Sequence, residues 1–499
     1  MGSFVFFVMR DKTGLHNLTI VSINRNMNIL ISNSMRADRI TPQVAFLKLK
    51  GIALLESAVL DIGKSRYSFL MLSERFRLTL EEAGVFLRFP DGSSRRESAD
   101  KKQYLRLLKE HSIKARDIVG ADAAPWPLPA GGVGYLGYET AAAMDTISLA
   151  EQEDDLNLPD AVFLFGESFL IFDHYKDELT VCTICSEEKA EIGRRAIEQI
   201  TERLFDFDFR AYQSDESTYG GTFSGHRDRD QYLTGVLQIK EAIARGDLLQ
   251  GVLSHRSEVT SNIPPFEAYR RLRRENPSPY MFYINFSSFV LFGASPEVMV
   301  SCSGSTAVVK PIAGTRPRGV TKKEDMDLEQ ELLADEKERA EHLMLIDLAR
   351  NDLNRVCTPG SVRVLHSFSV QRFSHVMHIV SEVEGSLRAD RDIFDLIASV
   401  FPAGTVTGAP KIKAMEIVSS LEPKKRGPYA GLVGYLDLHG GIDSCITIRS
   451  VVHVGKTFYI QAGAGIVSDS RPEGEYEETM SKAQALRVSL GVTDHDSTD

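Results

Sequence analysis

The feature that most constrains this chain is a series of apolar runs in its second half whose hydrophobic alternation is imperfect. They read SFVLFGASPEVMVS, GPYAGLVGYLDL, SCITIRSVVHV and TFYIQAGAGIV. A strand buried on one face alternates cleanly between apolar and polar side chains, whereas a strand covered on both faces does not. Residues 326–350 and 475–489 carry the wider apolar spacing of helices. The sequence therefore predicts an α+β chain whose strands are covered on both sides.

The 499-residue sequence is predicted to divide into three regions. Residues 1–34 contain scattered Asn and no clean period, and they are predicted to form an N-terminal extension of uncertain role. The polar, glycine-rich segment QSDESTYGGTFSG (213–225) is the candidate linker. It separates an N-terminal region, 35–222, from a C-terminal region, 223–492. An apolar content of 43% is ordinary for a globular protein with a well-buried core.

Bulk properties exclude several classes of function. The net charge of −11 repels nucleic acid and other polyanions, so an anionic substrate needs a local binding feature. The five cysteines fit a reducing compartment, and none lies in the Gly-x-Cys-x-Gly elbow of a glutamine amidotransferase. No apolar run is long enough to span a membrane, and the first residues make a poor signal peptide. A cytoplasmic chain without nucleic-acid or membrane partners is expected.

Two helical segments place glutamates three residues apart, which puts each pair on one helix face. The first pair is Glu338 and Glu341, and the second is Glu475 and Glu478, with Lys482 one turn further along. The second pair follows the strand QAGAGIV, whose glycines let backbone N–H groups approach and hold an anion. Carboxylates beside an anion site require a cation between them, and oxygen ligands favour Mg²⁺. Either helix alone is more typical of a solvated face, and only the neighbouring anion site favours a metal.

Eight motifs follow one another in the C-terminal region in a fixed order. They are GASPE (293–297), PIAGTRPRG (311–319), EKERAEH (336–342), HVMHIVSEVEG (375–385), FPAGTVTGAPK (401–411), RGPYAGLVGY (426–435), CITIRS (445–450) and AGAGIVSDSRPEGEYEET (462–479). This order resembles the chorismate-utilising enzyme family, which includes anthranilate, aminodeoxychorismate, isochorismate and salicylate synthases. The resemblance covers residues 226–490.

The resemblance implies a fold and a binding site. The fold consists of two large antiparallel sheets packed as a sandwich, with helices outside and a central cleft. Mg²⁺ is expected on Glu341 and Glu478, with Glu338 and Glu475 nearby or acting through water. The expected substrate-binding residues are Gly314, Thr315, Tyr429, Arg449, Gly463, Gly465, Lys482 and Gln250.

Three residues are expected to act in catalysis, and two others identify the nucleophile. Glu297 is expected to protonate the leaving 4-hydroxyl, His378 to assist loss of pyruvate, and Thr405 to line the ring. Gln250 stands where the water-using family members have a lysine base, and ammonia needs no such base. Ala313 stands where many aminodeoxychorismate synthases have a lysine that forms a covalent intermediate. Direct attack of ammonia at C2 is therefore implied, with anthranilate as the product.

The resemblance also implies partners. A separate glutamine amidotransferase subunit is expected to supply ammonia, because this chain carries no amidotransferase signature. Two alternatives stay open from the sequence. One is the large subunit of an aminodeoxychorismate synthase, which makes the para isomer from chorismate. The other is a non-catalytic, tryptophan-sensing paralogue that kept the fold.

Two further segments resemble the tryptophan feedback elements of anthranilate synthases. They are LLES and NPSPYM, which comprise Leu54, Leu55, Glu56, Ser57, Asn276, Pro277, Ser278, Pro279, Tyr280 and Met281. They lie more than two hundred residues apart in the sequence, yet the resemblance implies one tryptophan pocket, separate from the chorismate cleft.

Overall fold

The computed structural model describes residues 18–21, 28–58, 66–118, 124–206, 219–224, 229–373 and 376–492. Its strands are β1 Leu18–Val21, β2 Asn28–Arg36, β3 Ala53–Glu56, β4 Tyr67–Glu81, β5 Gly84–Arg88, β6 Ser94–Ser98, β7 Gly132–Leu136, β8 Ala161–Asp173, β9 Glu178–Ser186, β10 Gly221–Ser224, β11 Gln250–Ser261, β12 Tyr280–Asn285, β13 Val290–Ser295, β14 Val298–Ser303, β15 Thr306–Val309, β16 Ile312–Pro317, β17 Arg363–Arg372, β18 Val376–Ser386, β19 Gly408–Ala409, β20 Leu432–Leu436, β21 Ile442–Ile446, β22 Ser450–Val454 and β23 Thr457–Ile466. Its α-helices are α1 Pro42–Leu49, α2 Tyr104–Ile118, α3 Ala190–Phe205, α4 Arg229–Ala244, α5 Pro265–Glu275, α6 Lys322–Ala334, α7 Glu336–Asn354, α8 Ile393–Val400, α9 Lys411–Leu421 and α10 Pro472–Ser489.

The strands form two antiparallel sheets that share the long strands β4 and β8. The first sheet runs β1-β2-β9-β8-β4-β3-β12-β13-β22-β23-β11-β10. The second runs β6-β5-β4-β8-β7-β20-β21-β14-β15-β18, with β16 and β17 also on β18. The pairing of β4 with β8 shifts register between Met71 and Phe76, where both strands pass from one sheet to the other. Such bulges bend a strand and increase its twist.

The two sheets pack face to face with helices outside, as expected for the sandwich. Along β12, Phe282 and Ile284 point into the core between the sheets, whereas Met281 and Tyr283 pack under the outer helices. Helices α1, α3, α5 and α10 cover the first sheet. Helices α2, α7 and α8 cover the second. The strands are thus buried on both faces, which explains the imperfect alternation in the sequence.

One predicted helix is divided in two. Residues 326–350 were expected to form a single helix, but α6 ends and α7 begins at Asp335. Asp335 has an extended backbone, and its side chain accepts the N–H groups of Lys337 and Glu338. This is the geometry of an N-cap, which satisfies the free N–H groups of a new helix. The break therefore places Glu338 in the first turn of α7.

The predicted regions interleave in the sheets. Strand β2 begins in the 1–34 segment and pairs with β9. Strand β3 of the N-terminal region pairs with β12 of the C-terminal region, and β7 pairs with β20 in the same way. The boundary at 222/223 falls inside β10, and most of the candidate linker, including 213–218, lies outside the described residues. No helix in the described ranges is long and apolar enough to cross a membrane.

Candidate active site

Glu297 lies in the tight connection between β13 and β14, and the residue is 7% exposed. Its backbone is held in the sheet, because Ile446 donates its N–H to the Glu297 carbonyl over 3.0 Å. Desolvation raises the pKa of Glu297 to about 8, although Thr405 and Lys482 act in the opposite direction. The Thr405 hydroxyl lies against this carboxyl without reaching normal hydrogen-bond geometry with any described residue. The carboxyl is therefore protonated at neutral pH.

His378 lies on β18 opposite a bulge in β16. Gly314 forms this bulge with a φ of +66°, a conformation that favours glycine. The Nδ1–H of His378 donates to the Gly314 carbonyl over 2.8 Å, and Thr315 Oγ1 lies 3.1 Å from the same nitrogen. Burial lowers the pKa of His378 to about 4, and the nearby Arg449 and Lys482 also lower it. The imidazole is neutral, with its Nε2 lone pair available to accept a proton.

Arg449 and Lys482 place two positive charges at one end of β23. The Arg449 guanidinium is buried and donates to the Lys482 carbonyl. Lys482 Nζ lies 2.6 Å from Glu478 and donates to the Gly463 carbonyl over 2.9 Å. Tyr429 approaches the same strand, since a Cβ on Gly463 would lie 3.0 Å from its hydroxyl. These residues form a cationic recess that fits a carboxylate.

Gly465 on β23 leaves room for Gln250 of β11. A Cβ at Gly465 would lie 2.5 Å from Gln250 Nε2, so any side chain there would displace the amide. Gln250 is buried and donates over 3.1 Å to Oε1 of Glu341. This contact joins the strand with the glycines to helix α7.

The two acidic pairs lie on α7 and α10. Desolvation and the neighbouring Glu341 raise the pKa of Glu338. Desolvation and the neighbouring Glu478 likewise raise the pKa of Glu475. Glu338 reaches the bulge in β16, because a Cβ on Gly314 would lie 3.2 Å from its Oε2. In the described chain, no three His, Cys, Asp or Glu side chains are grouped closely enough to enclose a metal ion.

These carboxylates fit Mg²⁺ in its usual protein setting. Mg²⁺ takes one or two carboxylates, and substrate and water complete its octahedron, so a closed protein cage is not required. Glutamates that raise one another's pKa by repulsion are stabilised when a cation lies between them. Oxygen donors without thiols match this ion.

The sequence did not single out a buried ion pair beneath the site. Arg426 is 2% exposed and forms two hydrogen bonds of 2.7 Å with Glu422. Its guanidinium also donates to the Val406 carbonyl, beside Thr405, and lies 5.8 Å from the Tyr429 ring. Arg426 therefore positions two elements of the site. The motif RGPYAG contains it, but no sequence pattern predicts a fully buried arginine.

His255 holds helix α10 against β11. Its Nε2 lies 2.7 Å from Thr479 Oγ1, and its ring stacks on Tyr476 with centroids 5.2 Å apart. Because the Thr479 hydroxyl donates to the Tyr476 carbonyl, it accepts from the imidazole. Both partners are neighbours of the glutamates on α10.

The LLES and NPSPYM segments meet, as predicted. Strand β3 pairs with β12, which places Glu56 opposite Met281, and Ala58 donates its N–H to the Ser278 carbonyl. A cavity of about 800 Å³ opens here between residues of the two sheets. Its lining includes Leu55, Glu56, Ser57, Pro279, Tyr280 and Met281, and none of the expected catalytic, substrate or metal residues.

The other four residues of these segments do not line the cavity. Leu54 is fully buried under the outer helices, on the opposite face of β3. Asn276 ends α5, and Ser278 donates to its carbonyl. Asn276 and Ser278, with Pro277 between them, form the turn that leads into β12.

Comparison with known proteins agrees with this geometry. The family described as chorismate binding enzyme matches residues 74–488, and the chain belongs to this family. Within it, the chain is 46% identical over 462 residues to anthranilate synthase component 1 of Spirochaeta aurantia, covering 91% of this chain and 94% of that protein. It is 41% identical to anthranilate synthase component 1 of Thermus thermophilus, covering 90% and 95%.

A solved structure shows the same fold. The crystal structure of anthranilate synthase component I from Streptococcus pneumoniae matches with a TM-score of 0.76 and 32% identity. The match covers 91% of this chain and 98% of that one. The chain is thus a chorismate-utilising enzyme of the anthranilate synthase component 1 type, as the motif order predicted.

Proposed function

We propose that this chain is a lyase that converts chorismate and ammonia into anthranilate, pyruvate and water. The observation that supports it best is the pairing of a protonated carboxyl, Glu297, with an unprotonated imidazole, His378, around one cationic recess. Two titratable groups whose pKa values are moved in opposite directions are typical of a general acid and a general base in one site. Burial produces both states here at neutral pH.

In the first half of the reaction, ammonia forms a bond to C2 while the 4-hydroxyl leaves. Hydroxide is a poor leaving group, so the Glu297 proton passes to that oxygen and water departs. Arg449 and Lys482 hold a carboxylate of the substrate, which fixes the ring against the acid. Thr405, in contact with the same carboxyl, keeps it oriented toward the ring.

In the second half, the amino intermediate loses pyruvate. His378 Nε2 takes the proton from C2, the electron pair forms the ring double bond, and the bond from C3 to the enolpyruvyl oxygen breaks. The pyruvate enolate then takes up a proton. The Nδ1–H bond to Gly314 fixes the tautomer that leaves Nε2 free.

Mg²⁺ is proposed as the cofactor, held by Glu341 and Glu478 with Glu338 and Glu475 close by. Bound there, it supplies a Lewis acid for the ring carboxylate and offsets the four negative charges. Gln250 keeps Glu341 in place through its amide N–H. Since an amide has no basic nitrogen, Gln250 cannot activate water, which favours amination over hydroxylation.

Ammonia is proposed to come from a separate glutamine amidotransferase subunit. The relatives are named component 1, which implies a second component. We expect the purified chain alone to make anthranilate from chorismate, Mg²⁺ and ammonium at high pH, where free NH₃ is present, and to be inactive with glutamine.

Chromatography of the product distinguishes the alternatives. A product aminated at C4 would identify an aminodeoxychorismate synthase, and unconsumed chorismate would identify a non-catalytic paralogue. Turnover with glutamine by the lone chain would contradict the proposed partner.

We further propose that tryptophan inhibits the enzyme from the cavity between β3 and β12. Its volume of about 800 Å³ exceeds what an indole amino acid needs, and its walls combine aromatic rings with charged groups. Since the cavity contains no catalytic residue, inhibition requires tryptophan to prefer a state with low chorismate affinity. Linkage makes this reciprocal, so chorismate must weaken tryptophan binding by the same factor.

Ser57→Arg should abolish feedback while leaving anthranilate synthesis near normal. Ser57 is half-buried in the cavity wall, and a long cation there fills the volume that indole requires. Tryptophan dose–response curves at matched chorismate saturation provide the measurement, with Ser94→Arg on exposed β6 as the control. Unchanged sensitivity of Ser57→Arg would show that LLES is structural only.

A further inference from the structure

Phe373 lies between the cavity at β3 and β12, here called the effector cavity, and the site that contains His378. It follows β17 and lines the cavity. On its other side, its ring meets the His378 imidazole edge-on, with centroids 5.4 Å apart and planes at 64°. One aromatic side chain therefore touches both a proposed regulatory ligand site and a proposed catalytic base.

A network of charges fixes the backbone of Phe373. Arg318 donates to the Phe373 carbonyl over 2.7 Å. Asp325 in turn accepts from Arg318 over 2.8 Å, from Arg372 over 2.8 Å and from the N–H of Gly319 over 2.9 Å. Arg318 and Arg372 also line the cavity, so the two arginines of this network form part of its wall. A ligand that displaces Arg318 therefore acts directly on the Phe373 carbonyl.

A second wall element lies near the catalytic acid and is held within the sheet. Pro296 and Val298, on either side of Glu297, also line the cavity. A hydrogen bond from the Ile446 N–H to the Glu297 carbonyl fixes their segment. Val298 is also paired with Cys445 in the sheet. Phe373 lies beyond the end of β17, where the register with β18 stops at Arg372. Its backbone is fixed on both sides, since its N–H donates to the Val376 carbonyl over 2.8 Å and Arg318 donates to its carbonyl, so a change at Phe373 is a rotation of the ring about its side-chain bonds.

We propose that Phe373 is a positioning residue that orients the His378 imidazole and couples occupancy of the effector cavity to it. The inference rests on the tryptophan regulation proposed above. With the cavity empty, the Phe373 ring supports the imidazole in the orientation set by Gly314. An occupant that favours another position of the ring withdraws this support, and linkage then lowers the affinity for substrate.

The test is the coupling between tryptophan and chorismate in Phe373→Leu. Calorimetry measures tryptophan affinity with and without chorismate, and the ratio is the coupling factor. Wild type should give a factor of at least about 5, within the range typical of allosteric proteins. Phe373→Leu should bind tryptophan but give a factor of about 1. Its kcat should fall by up to about 10²-fold because the base is misplaced. Its KM for chorismate should rise, without tryptophan, toward the value that wild type shows with tryptophan bound, because the support that tryptophan withdraws is already absent.

A spectroscopic signature separates positioning from general destabilisation. In protein labelled at histidine, tryptophan should move the ring resonance of His378, assigned through its absence in His378→Gln. The shift should disappear in Phe373→Leu. Phe368→Leu is the matched control, since Phe368 lies on β17 and packs edge-on against another buried histidine, His342, at 4.9 Å, away from the cavity.

Three outcomes have distinct meanings. If Phe373→Leu keeps the wild-type coupling factor or no longer binds tryptophan, the proposal is wrong. If wild type does not bind tryptophan at all, the regulatory part of the proposed function fails instead. Should Phe373→Leu fold poorly, Asp325→Asn replaces it, since it releases Arg318 and should likewise bring the coupling factor toward 1.

Discussion

Glu297→Gln should lower kcat for anthranilate formation by about 10²- to 10⁴-fold, the usual contribution of a general acid. This corresponds to about 3–5 kcal/mol of transition-state stabilisation. Glutamine has nearly the same shape and retains polar contact with Thr405, so KM for chorismate should change little. The loss is confined to the proton that the 4-hydroxyl needs in order to leave.

The pH dependence of the wild type provides an independent check. Glu297 acts in its protonated form, and burial raises its pKa to about 8. Activity should therefore be lost as the pH rises through about 8. This limb is visible only when free NH₃ is held constant, because the supply of NH₃ rises with pH. In Glu297→Gln the limb should be absent from the residual activity.

The matched control is Glu384→Gln. Glu384 is a half-buried carboxylate on β18, the strand that carries His378, but it lies near the other end and pairs with Val308 and Arg363. Its loss should leave kcat unchanged. Wild-type kcat in Glu297→Gln would show that another group protonates the leaving oxygen.

Much of this arrangement follows from local sequence patterns. Imperfect alternation predicted strands covered on both faces, and the sheets are buried in that way. The glycines at 463 and 465 predicted backbone N–H groups that hold an anion, and this stays a prediction. In the structure, the Leu253 carbonyl and the Tyr429 hydroxyl lie close to Gly463, and the Gln250 amide lies close to Gly465. The spacing of each glutamate pair placed it on one helix face, because the helical period alone decides this.

Other features depend on contacts distant in sequence. The break at Asp335 interrupts a continuous helical pattern, and the Asp335 side chain that caps α7 is also held over 2.8 Å by Arg316 of β16. The Arg426–Glu422 pair is stable only because carbonyls of residues 252 and 406 complete its hydrogen bonding. Phe373 is held by Arg318, which in turn is bound by Asp325 of α6. Such arrangements exist only after the sheets have closed.

The second large effect concerns the metal. Glu341→Gln and Glu478→Gln should each raise the Mg²⁺ concentration needed for half-maximal activity by at least about 10²-fold. Outer-shell partners already contribute about 10- to 100-fold to metal affinity, and a direct carboxylate ligand should exceed that. Because Mg²⁺ often has only one or two protein carboxylates, the double variant should be inactive at any practical concentration.

The same variants should fold normally, which separates a metal role from a structural one. Glu341 and Glu478 contact the site through Gln250 and Lys482, and neither belongs to the buried core. Thermal unfolding without Mg²⁺ should match wild type or improve slightly, since removing a glutamate relieves repulsion within its pair. In wild type with a chorismate analogue, added Mg²⁺ should raise Tm, and this rise should be lost in the double variant. Undiminished activity of both single variants at ordinary Mg²⁺ would refute the proposed ligands.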